Sequence, residues 1–77
     1  MAKAFVFFNV DSGSEDKILQ ELKKIEGIQE AYISYGQYDL IARVKADTME
    51  KLKDAITHQV RMIKNVRSTL TLLMMEE

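Results

Sequence analysis

The sequence predicts an α+β fold in which four strands and two helices follow one another as β-α-β-β-α-β. Three observations predict it. Runs rich in branched and aromatic residues open and close the chain and fill its middle. Two segments with apolar residues at helical spacing separate them. A short Gly-containing connection joins the two middle strands as a hairpin. Right-handed crossovers then give a four-stranded antiparallel sheet of ferredoxin-like order with both helices on one face. The 77 residues make one domain, residues 1–77.

Residues 3–10 read as the first strand. Ala4, Val6, Phe8 and Val10 point one way, Phe5 and Phe7 the other. Both faces are apolar, which predicts a central strand covered on both sides. The cluster Asp11-Ser12-Gly13-Ser14 is a turn with two candidate caps. Ser12 with Glu15 matches a capping box, and Ser14 competes with it. Ile18, Leu19, Leu22 and Ile25 form the stripe of a helix over roughly residues 14–26, and Gly27 supplies a left-handed stop.

Residues 28–35 read as the second strand, with Ala31, Ile33 and Tyr35 on one face and Tyr32 and Ser34 on the other. Residues 38–44 read as the third, with Leu40, Ala42 and Val44 opposite Ile41, Arg43 and Lys45. Asp47 caps the second helix, with Glu50 as its capping-box partner. Met49, Leu52, Ile56, Val60 and Ile63 carry its stripe, and Asn65 takes the left-handed stop. Residues 66–75 form the last strand. Val66, Ser68, Leu70, Leu72 and Met74 alternate there with Arg67, Thr69, Thr71, Leu73 and Met75.

Two helices on one face leave the other sheet face bare. On this alternation that face carries Phe5, Phe7, Ile41, Leu73 and Met75, an apolar patch that marks an interaction surface. A domain this small is marginal alone, and without cysteine it has no disulfide to reinforce it. Oligomerisation remains, so a homodimer packed sheet to sheet is expected.

Composition excludes several functions. The net charge is −1 and the pI about 5.8, against the basic footprint of a nucleic-acid module. Phe5 and Phe7 could stack bases, but no basic Gly-Phe motif accompanies them, so no direct nucleic-acid contact is expected. The N-terminal apolar run is too short for a signal or a membrane span, which leaves a cytoplasmic protein without membrane contact. No metal site is expected either, because thiolates are absent and His58 is the single histidine.

Catalytic chemistry finds no footing. His58 falls between the stripe residues Ile56 and Val60 and turns away from the core. The carboxylate pairs Glu15–Asp16 and Glu50–Asp54 read as solvated helix faces. Neither phosphate-loop pattern occurs, so no cofactor and no catalytic residue is expected. The methionines read as gap-fillers in the cores of strands and helices.

Tyr35-Gly36-Gln37-Tyr38-Asp39 departs from plain packing. The turn needs Gly36 but neither Tyr38 nor Asp39. An Asp opening a strand is either a local cap accepting backbone N–H groups or an acceptor for a ligand ammonium group.

With its surroundings, the segment Ile33-Ser34-Tyr35-Gly36-Gln37-Tyr38-Asp39-Leu40 resembles the Gly-x-Tyr-Asp hairpin of the Lrp/AsnC effector domain, also called the RAM domain. Val66-Arg67-Ser68-Thr69-Leu70-Thr71-Leu72 resembles that family's Val-x-x-Thr-x-Thr final strand, and Lys24-Ile25-Glu26-Gly27-Ile28 its helix-ending segment. Lys64-Asn65-Val66 departs from the family's frequent Pro-Gly-Val, yet Asn65 keeps the turn. Family members carry a helix-turn-helix domain ahead of this one, and the chain begins at the first strand. It therefore resembles a stand-alone effector domain.

The resemblance implies a dimeric α+β barrel, with dimers assembled into an octamer- or decamer-like ring and an amino-acid effector held between dimers. It names Gly36, Tyr38, Asp39, Thr69 and Thr71 as ligand-binding, with Ser34 and Ser68 beside them. It further implies a non-catalytic transcription-regulation module acting in trans on full-length Lrp/AsnC regulators. The alternatives are a small enzyme on the same barrel, monooxygenase- or isomerase-like, and a purely structural oligomerisation domain.

Overall fold

The structure, a computed structural model, describes residues 1–75; the side chain of Met75 lies outside the described set. Four strands and two helices follow in the expected order: β1 (Ala2–Val10), α1 (Glu15–Lys23), β2 (Ile28–Ile33), β3 (Leu40–Ala46), α2 (Met49–His58) and β4 (Val66–Met75). A single 3₁₀ turn, Val60–Met62, joins α2 to the last strand. The antiparallel sheet runs β2-β3-β1-β4, which puts β1 in the centre and leaves β2 and β4 as edges.

The core forms between the helices and one sheet face. Ala4, Val6 and Phe8 of β1, Leu40, Ala42 and Val44 of β3, and Ala31 of β2 are buried against Ile18 and Leu22 of α1 and Leu52 and Ile56 of α2. Each large apolar side chain removed from water there contributes roughly 1.5–3 kcal/mol. Val60 completes the α2 stripe from the 3₁₀ turn, because Gln59 leaves helical backbone at φ −121°, ψ −59°.

The α1 N-cap is the second of its two candidates, and the α2 cap differs from the expected one. Ser14 stands at the N-cap of α1 but makes no side-chain cap bond, since its backbone is already helical at φ −96°, ψ −2°. Thr48, not Asp47, caps α2: it is extended, and its hydroxyl accepts the Lys51 N–H at 3.1 Å. The expected left-handed stops are in place, with Gly27 at φ +98° and Asn65 at φ +72°.

The other correction concerns β4. Asn9 pairs with Ser68 but Val10 pairs with Val66, so Arg67 is an extra residue, a β-bulge. Beyond the bulge, Phe8, Val6 and Ala4 face Thr69, Thr71 and Leu73, while Phe7 and Phe5 face Leu70 and Leu72. Directly opposed residues share a sheet face. The bare face therefore carries Phe5, Phe7, Ile41, Tyr32, Leu70 and Leu72. Leu73 lies on the helix side instead, and the expectation for Met75 falls outside the described side chains. Leu70 and Leu72 are 43% and 49% exposed. Arg43 and Glu30, 3.7 Å apart, form an ion pair on the same face.

Candidate functional site

The β2–β3 connection, residues 34–39, is held to the end of β1 by the Asp39 residue. Its N–H donates to the Phe8 carbonyl at 2.8 Å, and its carbonyl accepts the Ser34 N–H at 2.8 Å. Its carboxylate Oδ2 accepts the Val10 N–H at 2.9 Å. Asp39 is thus a cap for β1. The second carboxylate oxygen has no hydrogen-bond partner among the described residues.

This anchoring opens a groove of about 470 Å³ between the β1–α1 turn and the β2–β3 connection. Ser34, Tyr35, Gly36 and Asp39 form one wall with Ile33, and Gly13, Glu15 and Asp16 form the other. The lining holds three carboxylates and no cationic side chain. Gly36 at φ +141° makes the turn available, and Tyr35 stands 97% exposed at its tip.

Of the residues named from sequence, Ser34, Gly36 and Asp39 meet in this groove. Tyr38 does not line it: its ring packs on Phe7 with centroids 5.4 Å apart. Ser68 lies on the bare sheet face, 3.4 Å from the Asn9 amide nitrogen. Thr69 and Thr71 stand half-buried on the helix side of the edge strand β4. The central strand separates them from β3, about 10 Å away at two strand spacings. Within one chain they do not share the groove with Asp39.

Gly13, Glu15, Asp16, Ile33 and Tyr35 are the lining residues that sequence reasoning did not name as site residues. Acidic residues in the first turn of a helix are accounted for by the helix dipole alone. What marks these two is topology: α1 begins beside the end of β1, to which the β2–β3 connection is tied.

A second groove, of about 550 Å³, has Glu26, Gln29, Lys45, Asp47, Lys51 and Gln59 in its lining. His58 is exposed on α2, its Nε2 3.2 Å from Asp54 Oδ1. Among the described residues no group of His, Asp and Glu is placed to hold a metal ion, and no helix is long and apolar enough to cross a membrane.

Comparison with known proteins agrees with the fold and extends it. An uncharacterized helix-turn-helix-type transcriptional regulator of Pyrococcus furiosus is 30% identical over 73 residues, which are 91% of this chain and 49% of that protein. The chain spans about half the length of the curated relatives it matches. The crystal structure of a hypothetical protein from Pyrococcus horikoshii superposes with a TM-score of 0.94 at 32% identity, covering 100% of this chain and 93% of that one. A Thermus thermophilus protein superposes at 0.91 with 27% identity, covering 100% and 96%. Residues 3–77 match the family model of the Lrp/AsnC ligand binding domain, and the chain belongs to that family.

Proposed function

We propose that the chain is an amino-acid-binding, oligomerising module that regulates transcription in trans, by assembling with full-length Lrp/AsnC regulators in the cytoplasm. The observation that carries this reading is the groove: Ser34, Tyr35, Gly36 and Asp39 of the β2–β3 connection build one wall, and Asp39 keeps a carboxylate oxygen to spare. Three carboxylates without a cation suit the ammonium end of an amino acid, as a charge-assisted acceptor. Its carboxylate end needs donors, and one chain's groove offers only the Ser34 and Tyr35 hydroxyls as side chains. In this reading Thr69 and Thr71 of a neighbouring copy add donors for that end, and the complete site lies between dimers. The dimer itself forms through the bare sheet face, and dimers assemble into a ring. Ser34 contributes at the groove wall and Ser68 at the sheet face.

The test is a calorimetric screen of the amino acids against the oligomer, repeated with Asp39→Asn and Thr69→Val. Binding of at least one amino acid, weakened about tenfold or more by each substitution, is expected. No binding to any amino acid removes the sensing role. Mixing the chain with a full-length family regulator should then give hetero-assemblies on size exclusion. One observation favours a structural alternative: the Asp39 Oδ2 is already engaged by the protein's own backbone. A screen without binding, combined with intact oligomers, would select that alternative.

A further inference from the structure

We propose that Tyr38 is a positioning residue that couples the bare sheet face to the groove by fixing Asp39. The inference rests on the readings above, of the groove as the ligand site and of the sheet face as the dimer contact. Residues 38 and 39 are gripped by two consecutive residues of β1. The Phe7 ring packs on the Tyr38 ring, 5.4 Å between centroids with planes tilted by 51°. The Phe8 carbonyl accepts the Asp39 N–H at 2.8 Å.

Phe7 lies on the bare face between Ile41 and Leu70, whereas Phe8 is fully buried under the helices. The pair 38–39 therefore straddles the sheet end. Tyr38 sits with the apolar face, and Asp39 faces the groove with its Oδ2 on the Val10 N–H. Neither residue belongs to the regular ladder, which begins at Leu40. The aromatic contact and the few bonds of Asp39 are what set the carboxylate.

A second copy packed on Phe7 confines the Tyr38 ring, and with it Asp39. By reciprocity, a ligand held on Asp39 favours the arrangement in which Tyr38 stays on Phe7, and so favours self-association. Tyr38 acts through Asp39 and the ring contact, and its hydroxyl is not required.

Amide hydrogen exchange at Val10 reads the Asp39 carboxylate directly and needs no ligand. Tyr38→Ala is expected to speed Val10 exchange about fivefold, the factor of one modest hydrogen bond, with the central β1–β3 amides unchanged. Tyr38→Phe should keep wild-type exchange. Phe7→Leu, which preserves apolar bulk but removes the ring partner, should speed it like Tyr38→Ala. In the wild type, raising the chain concentration through self-association should slow Val10 exchange; in Tyr38→Ala it should not. Unchanged exchange in both Tyr38→Ala and Phe7→Leu, or a loss in Tyr38→Phe equal to that in Tyr38→Ala, overturns the positioning role. Sedimentation on the same samples separates the two levels. A chain that never self-associates removes the dimer reading and its coupling, whereas a self-associating chain with unaltered Val10 exchange overturns the role of Tyr38 alone.

Discussion

Asp39 carries a structural duty and a proposed binding duty, and substitution can separate them. Asparagine keeps an oxygen for the Val10 N–H and loses the negative charge. Asp39→Asn is therefore expected to cost under about 1 kcal/mol in urea denaturation while weakening ligand binding. Asp39→Ala loses the bond as well, and should cost about 1–2 kcal/mol. Equal stability losses in the two variants would show that charge, not the hydrogen bond, is what the fold uses. Gly27 is constrained from a different side. At φ +98° an added Cβ would stand 3.0 Å from the Lys45 carbonyl oxygen, and the Gly27 carbonyl accepts the Lys45 N–H at 2.8 Å. The clash is with backbone, so it is not relieved by a rotamer change. Gly27→Ala should lower stability by about 1–3 kcal/mol, whereas Asn65→Gly, where the turn is open to glycine, should be close to neutral.

Among the elements, α2 shows how a correct helix can carry a misplaced start. Asp47-Thr48-Met49-Glu50 offers two neighbouring cap residues, and only backbone geometry chooses between them. Thr48 is extended and bonds the Lys51 N–H, so Thr48→Ala should cost about 1 kcal/mol in thermal or urea unfolding and Asp47→Ala only a few tenths. The reverse ranking would restore Asp47 as the cap. The helical stripes and the central first strand were legible because burial writes itself into spacing: Leu52, Ile56 and Val60 are all buried as their periodicity demands. β4 was legible in extent but not in facing. Its alternation is two-sided, with leucine at 70, 72 and 73, so no polar face pins the register. The Arg67 bulge then reverses the parity between Val66 and Leu70, and a single inserted residue exchanges Leu70 and Leu72 for Leu73 on the bare face. The site was legible only along one stretch of chain. Ser34, Gly36 and Asp39 are close in sequence, whereas Glu15 and Asp16 join them through the tertiary bond from Val10 to Asp39.

For the whole molecule, the unequal covering of the two sheet faces is the dominant fact. One face is closed by α1 and α2; the other shows Phe5, Phe7, Tyr32, Ile41, Leu70 and Leu72, with Lys3, Arg43 and Lys45 towards its far end. A chain of this size gains stability by covering that surface, and a second copy presents a matching apolar patch with the same twist. Stable contacts bury on the order of 800 Å² from each partner, within reach of a four-stranded face. Because association then contributes to folding stability, the melting temperature should rise with chain concentration. Leu70→Glu combined with Leu72→Glu tests this without touching the core, since both side chains are already over two-fifths exposed in the single chain. Two carboxylates in an apolar contact carry a desolvation cost. The double variant should sediment as a smaller species and lose the concentration dependence of melting, while its circular dichroism at low concentration stays that of the folded chain. Leu73→Glu, on the helix side of the same strand, should leave self-association unchanged. If Leu73→Glu dissociates the assembly and the Leu70–Leu72 pair does not, then the bulge-shifted register is wrong about which residues meet the partner.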